Sequence, residues 1–132
     1  MTKKFEYIII DDNDIDIFIA SRMIEAYDEK AVIHSFLYAN EALEMIRKSG
    51  AEQHPTILLV DINMPIMDGF QFMELFEKFP QEITKNYVPC FLTSSINETD
   101  IALSKTFKTI KMYINKPLMY TVIQEIIEAT KS

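Results

Sequence analysis

The chain has 132 residues, 48% hydrophobic and 25% charged, with 13 Lys and Arg against 20 Asp and Glu for a net charge of −7. That length suits one domain with a proper core and leaves no room for a second folded unit, so residues 1–132 are expected to form a single domain without an output domain. The acidic balance, with no basic patch to override it, argues against nucleic acid or an anionic membrane as partner, and no repeat or low-complexity tract suggests disorder.

The opening MTKKFEYIIIDD breaks at two aspartates, too short and too acidic for a signal peptide. Phe5 to Ile10 reads as a fully buried strand. Ile15, Phe18, Ile19, Arg22, Met23 and Ala26 then recur at three- and four-residue spacing, a helix. Asp12 or Asp14 could cap it. A weaker strand covers Ala31 to Leu37, followed by NEALEMIRKSG, a helix that Asn40 could cap and Gly50 could end. TILLV, residues 56 to 60, is the third strand. It runs into the turn-rich DINMPIMDG and then a helix through Phe70, Met73, Leu75, Phe76 and Phe79, whose Met and Phe residues read as core.

The fourth strand is Val88 to Thr93, with Pro89 tolerated near its start. The lone Cys90 lies in this apolar run and cannot form an internal disulfide. It reads as a buried, inert thiol in a reducing compartment. SSINETD leads into a helix from about Asp100 to Lys108, MYIN is a short fifth strand ending at Lys116-Pro117, and Tyr120 to about Thr130 is a last helix with Val122, Ile123, Ile126 and Ile127 on one face. No apolar stretch approaches the roughly 20 residues of a membrane span, so a cytoplasmic protein is expected.

Five strand-helix pairs in strict alternation predict an α/β fold, a parallel sheet with helices on both faces and right-handed crossovers. Ligands of such sheets bind outside the carboxyl ends of the strands. Asp11 and Asp12 follow strand one, Asp61 strand three, Thr93, Ser94 and Ser95 strand four, and Lys116 strand five. One edge of the sheet should therefore gather three carboxylates, a hydroxyl and an ammonium. Carboxylates that close repel, and with only oxygen donors present Mg²⁺ is the expected counter-ion. An Asp can also act as a nucleophile toward phosphorus, with the metal, the lysine and the hydroxyl stabilising the transferring group. Asp14, Asp16 and Asp68 read as helix-start and turn residues without a direct role, and His34 and His54 as isolated surface or packing residues.

The motifs IIIDD, LLVDINMPIMDG, FLTSS and YINKP, in that order and each at a strand end, resemble the receiver domain of two-component response regulators, the CheY-like family, over essentially the whole chain. The resemblance implies a doubly wound, flavodoxin-like (βα)5 fold with strand order 2-1-3-4-5. It implies Asp61 as phosphoacceptor, since Asp61 opens the family's D-x-x-M-P-x-x-D-G motif. It further implies Asp11, Asp12, Asp61 and the backbone carbonyl of Asn63 as Mg²⁺ ligands, Lys116 on the phosphoryl group, and a cis bond before Pro117. The family's intervals from Lys116 and from Pro89 both place the switch hydroxyl on Ser94, with Tyr113 as the aromatic that turns inward on activation. Asn63 and Ile96 stand where the family lines the path of the hydrolytic water, and an apolar Ile96 implies slow self-dephosphorylation. The sequence departs from the family in having Ser at the switch, Ser95 beside it in place of a smaller residue, and no glycine before strand five.

The implied function is a stand-alone receiver, not an enzyme beyond its own phosphorylation and dephosphorylation. Its partners would be a sensor histidine kinase or histidine phosphotransfer protein on the helix-one face and a downstream protein on the face of the fourth helix, fifth strand and fifth helix. It would be a monomer or a weak phosphorylation-dependent dimer. Two other readings are a degenerate receiver that only binds, and a haloacid dehalogenase-type phosphatase using Asp12 in the DND of residues 12 to 14. The latter lacks that class's following Gly-Thr or Thr-Val pattern and leaves Asp61 unexplained.

Overall fold

In the computed structural model, which describes residues 5–49 and 55–131, five strands alternate with helices. They are β1 (Glu6–Ile10), α1 (Asp14–Tyr27), β2 (Val32–Phe36), α2 (Ala39–Ser49), β3 (Thr56–Val60), α3 (Gly69–Phe76), α4 (Gln81–Thr84), β4 (Tyr87–Thr93), α5 (Glu98–Ser104), β5 (Met112–Asn115) and α6 (Tyr120–Lys131). All neighbouring strands pair in parallel, in the order β2-β1-β3-β4-β5. The fold is the doubly wound flavodoxin-like architecture expected from the sequence, with one more helix than the five-pair scheme. α4 is a single turn that follows Pro80, whose carbonyl accepts the first helical hydrogen bonds.

Strand pleating sends alternate residues to opposite faces, so β1 feeds two cores. Tyr7 and Ile9 join Ala20 and Ile24 of α1 and Ile123, Ile126 and Ile127 of α6 on one side. Ile8 and Ile10 join Ala42 and Ile46 of α2 and Phe72, Met73 and Phe76 of α3 on the other. β3 is buried at every position, as a central strand covered on both faces must be. Pro89 sits within β4, but its carbonyl accepts from Lys111 N on the β5 side, and pairing with β5 begins only at Cys90. The amide that proline lacks therefore costs no ladder bond.

Several local expectations are corrected. In α1 the residues that meet the core are Ile17, Ala20, Met23, Ile24 and Tyr27; of the expected stripe Met23 packs inward, while Ile15, Phe18, Ile19, Arg22 and Ala26 are exposed. Asn13 caps this helix, accepting from Ile15 N and Asp16 N. α2 begins at Ala39, so Asn40 lies inside it, and Gly50 falls outside the described residues. α3 ends at Phe76, with Phe72 rather than Leu75 in the core. α5 starts two residues earlier than expected, capped by Asn97, and ends at Ser104. The glycine-free segment before β5 is shaped by turns and held by Thr109, whose N–H and hydroxyl both donate to Glu77 Oε2 at 2.8 and 2.6 Å.

Candidate functional site

The sheet ladder continues one residue past three strands, and those residues are the polar ones. Asp11 N donates to the Phe36 carbonyl at 3.0 Å, Asp61 N to Ile10 at 2.9 Å, and Lys116 N to Thr93 at 2.9 Å. The backbone thus fixes all three side chains at the carboxyl edge before any of them touches. Asp11 and Asp61 are buried, at 2% and 6% exposure, whereas Asp12 is exposed. One oxygen from each of Asp11, Asp12 and Asp61 lies within 4.8 Å of the others. At an effective dielectric near 20 each pair at that separation repels by about 3–4 kcal/mol, less where water screens Asp12.

Lys116 offsets part of this. Its Nζ is 2.7 Å from Asp11 Oδ2, 2.8 Å from Asp16 Oδ2 and 3.5 Å from Asp61 Oδ2. Burial still raises the Asp11 and Asp61 carboxyls above the ordinary range; bonds and charge from Lys116 oppose the rise at both, and Asp11's charge adds to it at Asp61. For Lys116 itself burial works against the ammonium, but the hydrogen bonds it donates to Asp11 and Asp16 and the charges of Asp61 and Asp11 outweigh it and hold the pKa above the usual lysine range. One ammonium does not neutralise three clustered carboxylates. Their all-oxygen donor set fits a hard divalent cation.

The loop that returns from Asp61 to α3 is pinned by Gly69. Its N–H donates to the Ile62 carbonyl at 2.9 Å. A Cβ there would lie 2.5 Å from the Asp61 carbonyl oxygen and 2.9 Å from Ile62 Cα. Asp68 caps α3 in a capping box with Gln71. Between these anchors Ile66 is forced to φ 70, with Met67 N bonding Pro65 O at 2.7 Å around it. Asn63 stands exposed beside the cluster, its backbone hydrogen-bonded to the Asp61 carboxylate.

The three hydroxyls at the end of β4 and just beyond it differ in their engagement. Thr93 is buried and its Oγ1 accepts from Ser95 N at 3.2 Å. Ser95 Oγ donates to Asp100 Oδ2 at 2.7 Å. Ser94 is exposed and faces a cleft of about 240 Å³ that it lines with Asp16, Ile19, Lys116 and Pro117. The Lys116-Pro117 bond at its edge is cis. Tyr113 is half-buried against Phe91, and its hydroxyl donates to the Ser95 carbonyl at 2.9 Å, which Asn115 Nδ2 also reaches at 3.1 Å. Ile96 projects to solvent at 79% exposure.

Asp16 is the site residue that sequence reasoning missed. It had the look of a solvated helix start, yet it contacts Lys116 across 100 positions. Its signal was the cap: once Asn13 starts α1, Asp16 falls in the first turn, beside the end of β1. His34 Nε2 lies 3.7 Å from Glu6 at the other end of the sheet, and His54 lies outside the described residues. Cys90 is fully buried, its thiol pushed up to about 12 by that burial. No helix among the described residues is long and apolar enough to cross a membrane.

A family model described as the response regulator receiver domain matches residues 7–128. The chain is 29% identical over 121 residues to hybrid signal transduction histidine kinase L of Dictyostelium discoideum, covering 92% of this chain and 7% of that protein. It is 31% identical over 78 residues to probable histidine kinase 1 of Oryza sativa subsp. indica, covering 59% and 7%. The chain thus spans only about 7% of the length of these curated relatives. Among solved structures, a two component response regulator from Cytophaga hutchinsonii superposes with TM-score 0.87 at 24% identity, covering 98% of both chains. A response regulator receiver protein from Dyadobacter fermentans gives 0.87 at 23%, covering 95% and 96%. At such identities these two likenesses speak for the fold.

Proposed function

The chain belongs to the response regulator receiver domain family, and on that premise we propose that it accepts a phosphoryl group on Asp61 from the phosphohistidine of a sensor histidine kinase or histidine phosphotransfer protein. The observation that supports this best is the buried Asp61 carboxylate, 3.5 Å from Lys116 and clustered with Asp11 and Asp12 at the sheet's carboxyl edge. A carboxylate oxygen of Asp61 attacks phosphorus, the P–N bond to histidine breaks, and the imidazole nitrogen keeps the electron pair. Water later cleaves the acyl phosphate, returning Asp61 and releasing inorganic phosphate.

Asp11, Asp12, Asp61 and the Asn63 carbonyl would hold Mg²⁺, which when bound supplies positive charge against the phosphoryl oxygens. Lys116, 3.5 Å from Asp61, and the Ser94 hydroxyl, which lines the same cleft as Lys116, would bond those oxygens. Ser94 is the chain neighbour of Ser95, whose carbonyl receives Tyr113, so a pull on the hydroxyl reaches the aromatic through one short loop. Asn63 and Ile96 at the rim would set the lifetime. For partners, the exposed Ile15, Phe18 and Ile19 of α1, with Met119 and Tyr120 nearby in sequence to the cleft residues, suit the phosphodonor, and the face of α5, β5 and α6 suits a downstream protein. The proposed outcome is binding, with the protein a monomer or a weak phosphorylation-dependent dimer in the cytoplasm, and no chemistry beyond its own modification. A phosphatase using Asp12 has less support, because Asp12 is exposed and outside the Lys116 contacts.

The test is intact mass after incubation with Mg²⁺ and acetyl phosphate, comparing wild type with Asp61→Asn. One added phosphoryl group that needs Mg²⁺ and disappears in the variant supports the proposal. No addition under conditions that label a control receiver would leave the domain as a binding module, and donor consumption independent of Asp61 would point to a phosphatase.

A further inference from the structure

Lys116 is held by two short contacts that differ in kind. Asp11, whose Oδ2 is 2.7 Å away, is one of the three carboxylates that bring an oxygen each within 4.8 Å of the others. Asp16, whose Oδ2 is 2.8 Å away, is not; it reaches the ammonium from the first turn of α1, on the cleft side. Asp61, the third carboxylate, is farther away at 3.5 Å. Asp16 is itself anchored, because its N–H donates to the Asn13 side chain that caps the helix. The Lys116 side chain is only 15% exposed and that of Asp16 34%, so the pair is partly shielded from water and salt.

A divalent cation on Asp11, Asp12 and Asp61 would draw on two of the three carboxylates now facing the ammonium and repel it with twice its own charge. The hold of Asp11 and Asp61 on Lys116 would then weaken. We propose that Asp16 is a positioning residue for Lys116: a carboxylate outside the cation cradle that retains the ammonium at the site when the cradle is filled. This inference rests on the reading of the cluster as a Mg²⁺ site with Lys116 directed at the phosphoryl group. Asp16 does not touch the reacting atoms. It would make cation and lysine compatible, so that both positive charges stand near Asp61 together.

Competitive labelling of amines in the full chain tests this, with Lys116 reactivity quantified by peptide mass against the exposed Lys105 and Lys111 as internal standards. Wild type, Asp16→Asn and Asp16→Glu are each labelled with and without saturating Mg²⁺, binding of which is followed separately by calorimetry. The expected result is an interaction: Lys116 stays protected in wild type under both conditions, while in Asp16→Asn it is protected by Asp11 without Mg²⁺ and becomes roughly tenfold more reactive with it, the worth of one charge-assisted hydrogen bond. Asp16→Glu restores protection. Equal protection of Lys116 in wild type and Asp16→Asn with Mg²⁺ bound would overturn the inference, as would the same gain in reactivity with and without the cation. Absence of Mg²⁺ binding to wild type would overturn the cation reading beneath it, and the calorimetry separates that failure from the other two.

Discussion

Gly69→Ala probes how the loop after Asp61 is built. The new Cβ would meet backbone: the Asp61 carbonyl oxygen at 2.5 Å, Ile62 Cα at 2.9 Å and the Asp61 carbonyl carbon at 3.1 Å. None of these atoms can rotate away, so α3 and the end of β3 must separate by at least half an ångström to reach even a tight contact of 3.0 Å. Overpacking of that size costs about 1–3 kcal/mol. Alanine's better helix propensity returns at most about 1 kcal/mol at this first helical position. A net loss of about 1–2 kcal/mol is expected, read as a lower urea midpoint at unchanged slope. Because Asp61 and Asn63 ride on the displaced segment, Mg²⁺ affinity should fall too. Asp68→Ala is the control: losing the cap costs about 0.5–2 kcal/mol but leaves the backbone of Asp61 alone, so its Mg²⁺ affinity should hold. An alanine variant as stable as wild type, with intact Mg²⁺ binding, would refute the claim that this close approach sets the site.

Other consequences can be measured on the same protein. Ile66 is 84% exposed and carries φ 70, so Ile66→Gly loses little packing and removes a left-handed cost of about 1–2 kcal/mol. After the entropy that glycine returns to the unfolded chain, a gain of about 0.5–1 kcal/mol should appear in denaturation, and a loss would show that the backbone there is unstrained. Burial raises the Asp11 and Asp61 carboxyls, so between the ordinary value near pH 4 and the raised native values the folded chain binds more protons, and their contribution to stability falls as pH rises. Asp11→Asn should therefore gain on wild type as pH rises through that window; a stability difference independent of pH would contradict the assignment. Mg²⁺ at a hundred times its Kd should stabilise wild type by about 2.7 kcal/mol and do so far less in Asp61→Asn, with equal stabilisation of both counting against the cluster as the binding site. Ile96→Glu should shorten the lifetime of the acyl phosphate, followed by mass after donor removal, and unchanged decay would exclude Ile96 from that role.

How much of this the sequence disclosed depends on which physical signal each part used. The sheet was legible because buried strands are short, unbroken apolar runs, and the carboxyl-edge rule then placed Asp11, Asp61 and Lys116 together without any knowledge of their contacts. The orientation of α1 was not. Its apolar residues are dense enough to form two overlapping stripes, and the one through Ile17, Ala20, Met23, Ile24 and Tyr27 meets the core while Ile15, Phe18 and Ile19 face outward. Exposed apolar residues on a surface helix follow no burial rule, so periodicity alone could not choose. Asp16 was hidden for the same reason, since its meaning depends on the rotation of α1. The start of α2 at Ala39 and the extra turn of α4 were lost at element boundaries, where a plausible cap such as Asn40 competes with tertiary packing.

The most direct measurement is the position of the modification itself. Wild type labelled with acetyl phosphate and Mg²⁺ would be reduced with borohydride, which converts an acyl phosphate to an alcohol, then digested and mapped by mass. Conversion confined to residue 61 is the expected result. Conversion at Asp11 or Asp12, or none in protein shown to bind Mg²⁺, would contradict Asp61 as the phosphoacceptor.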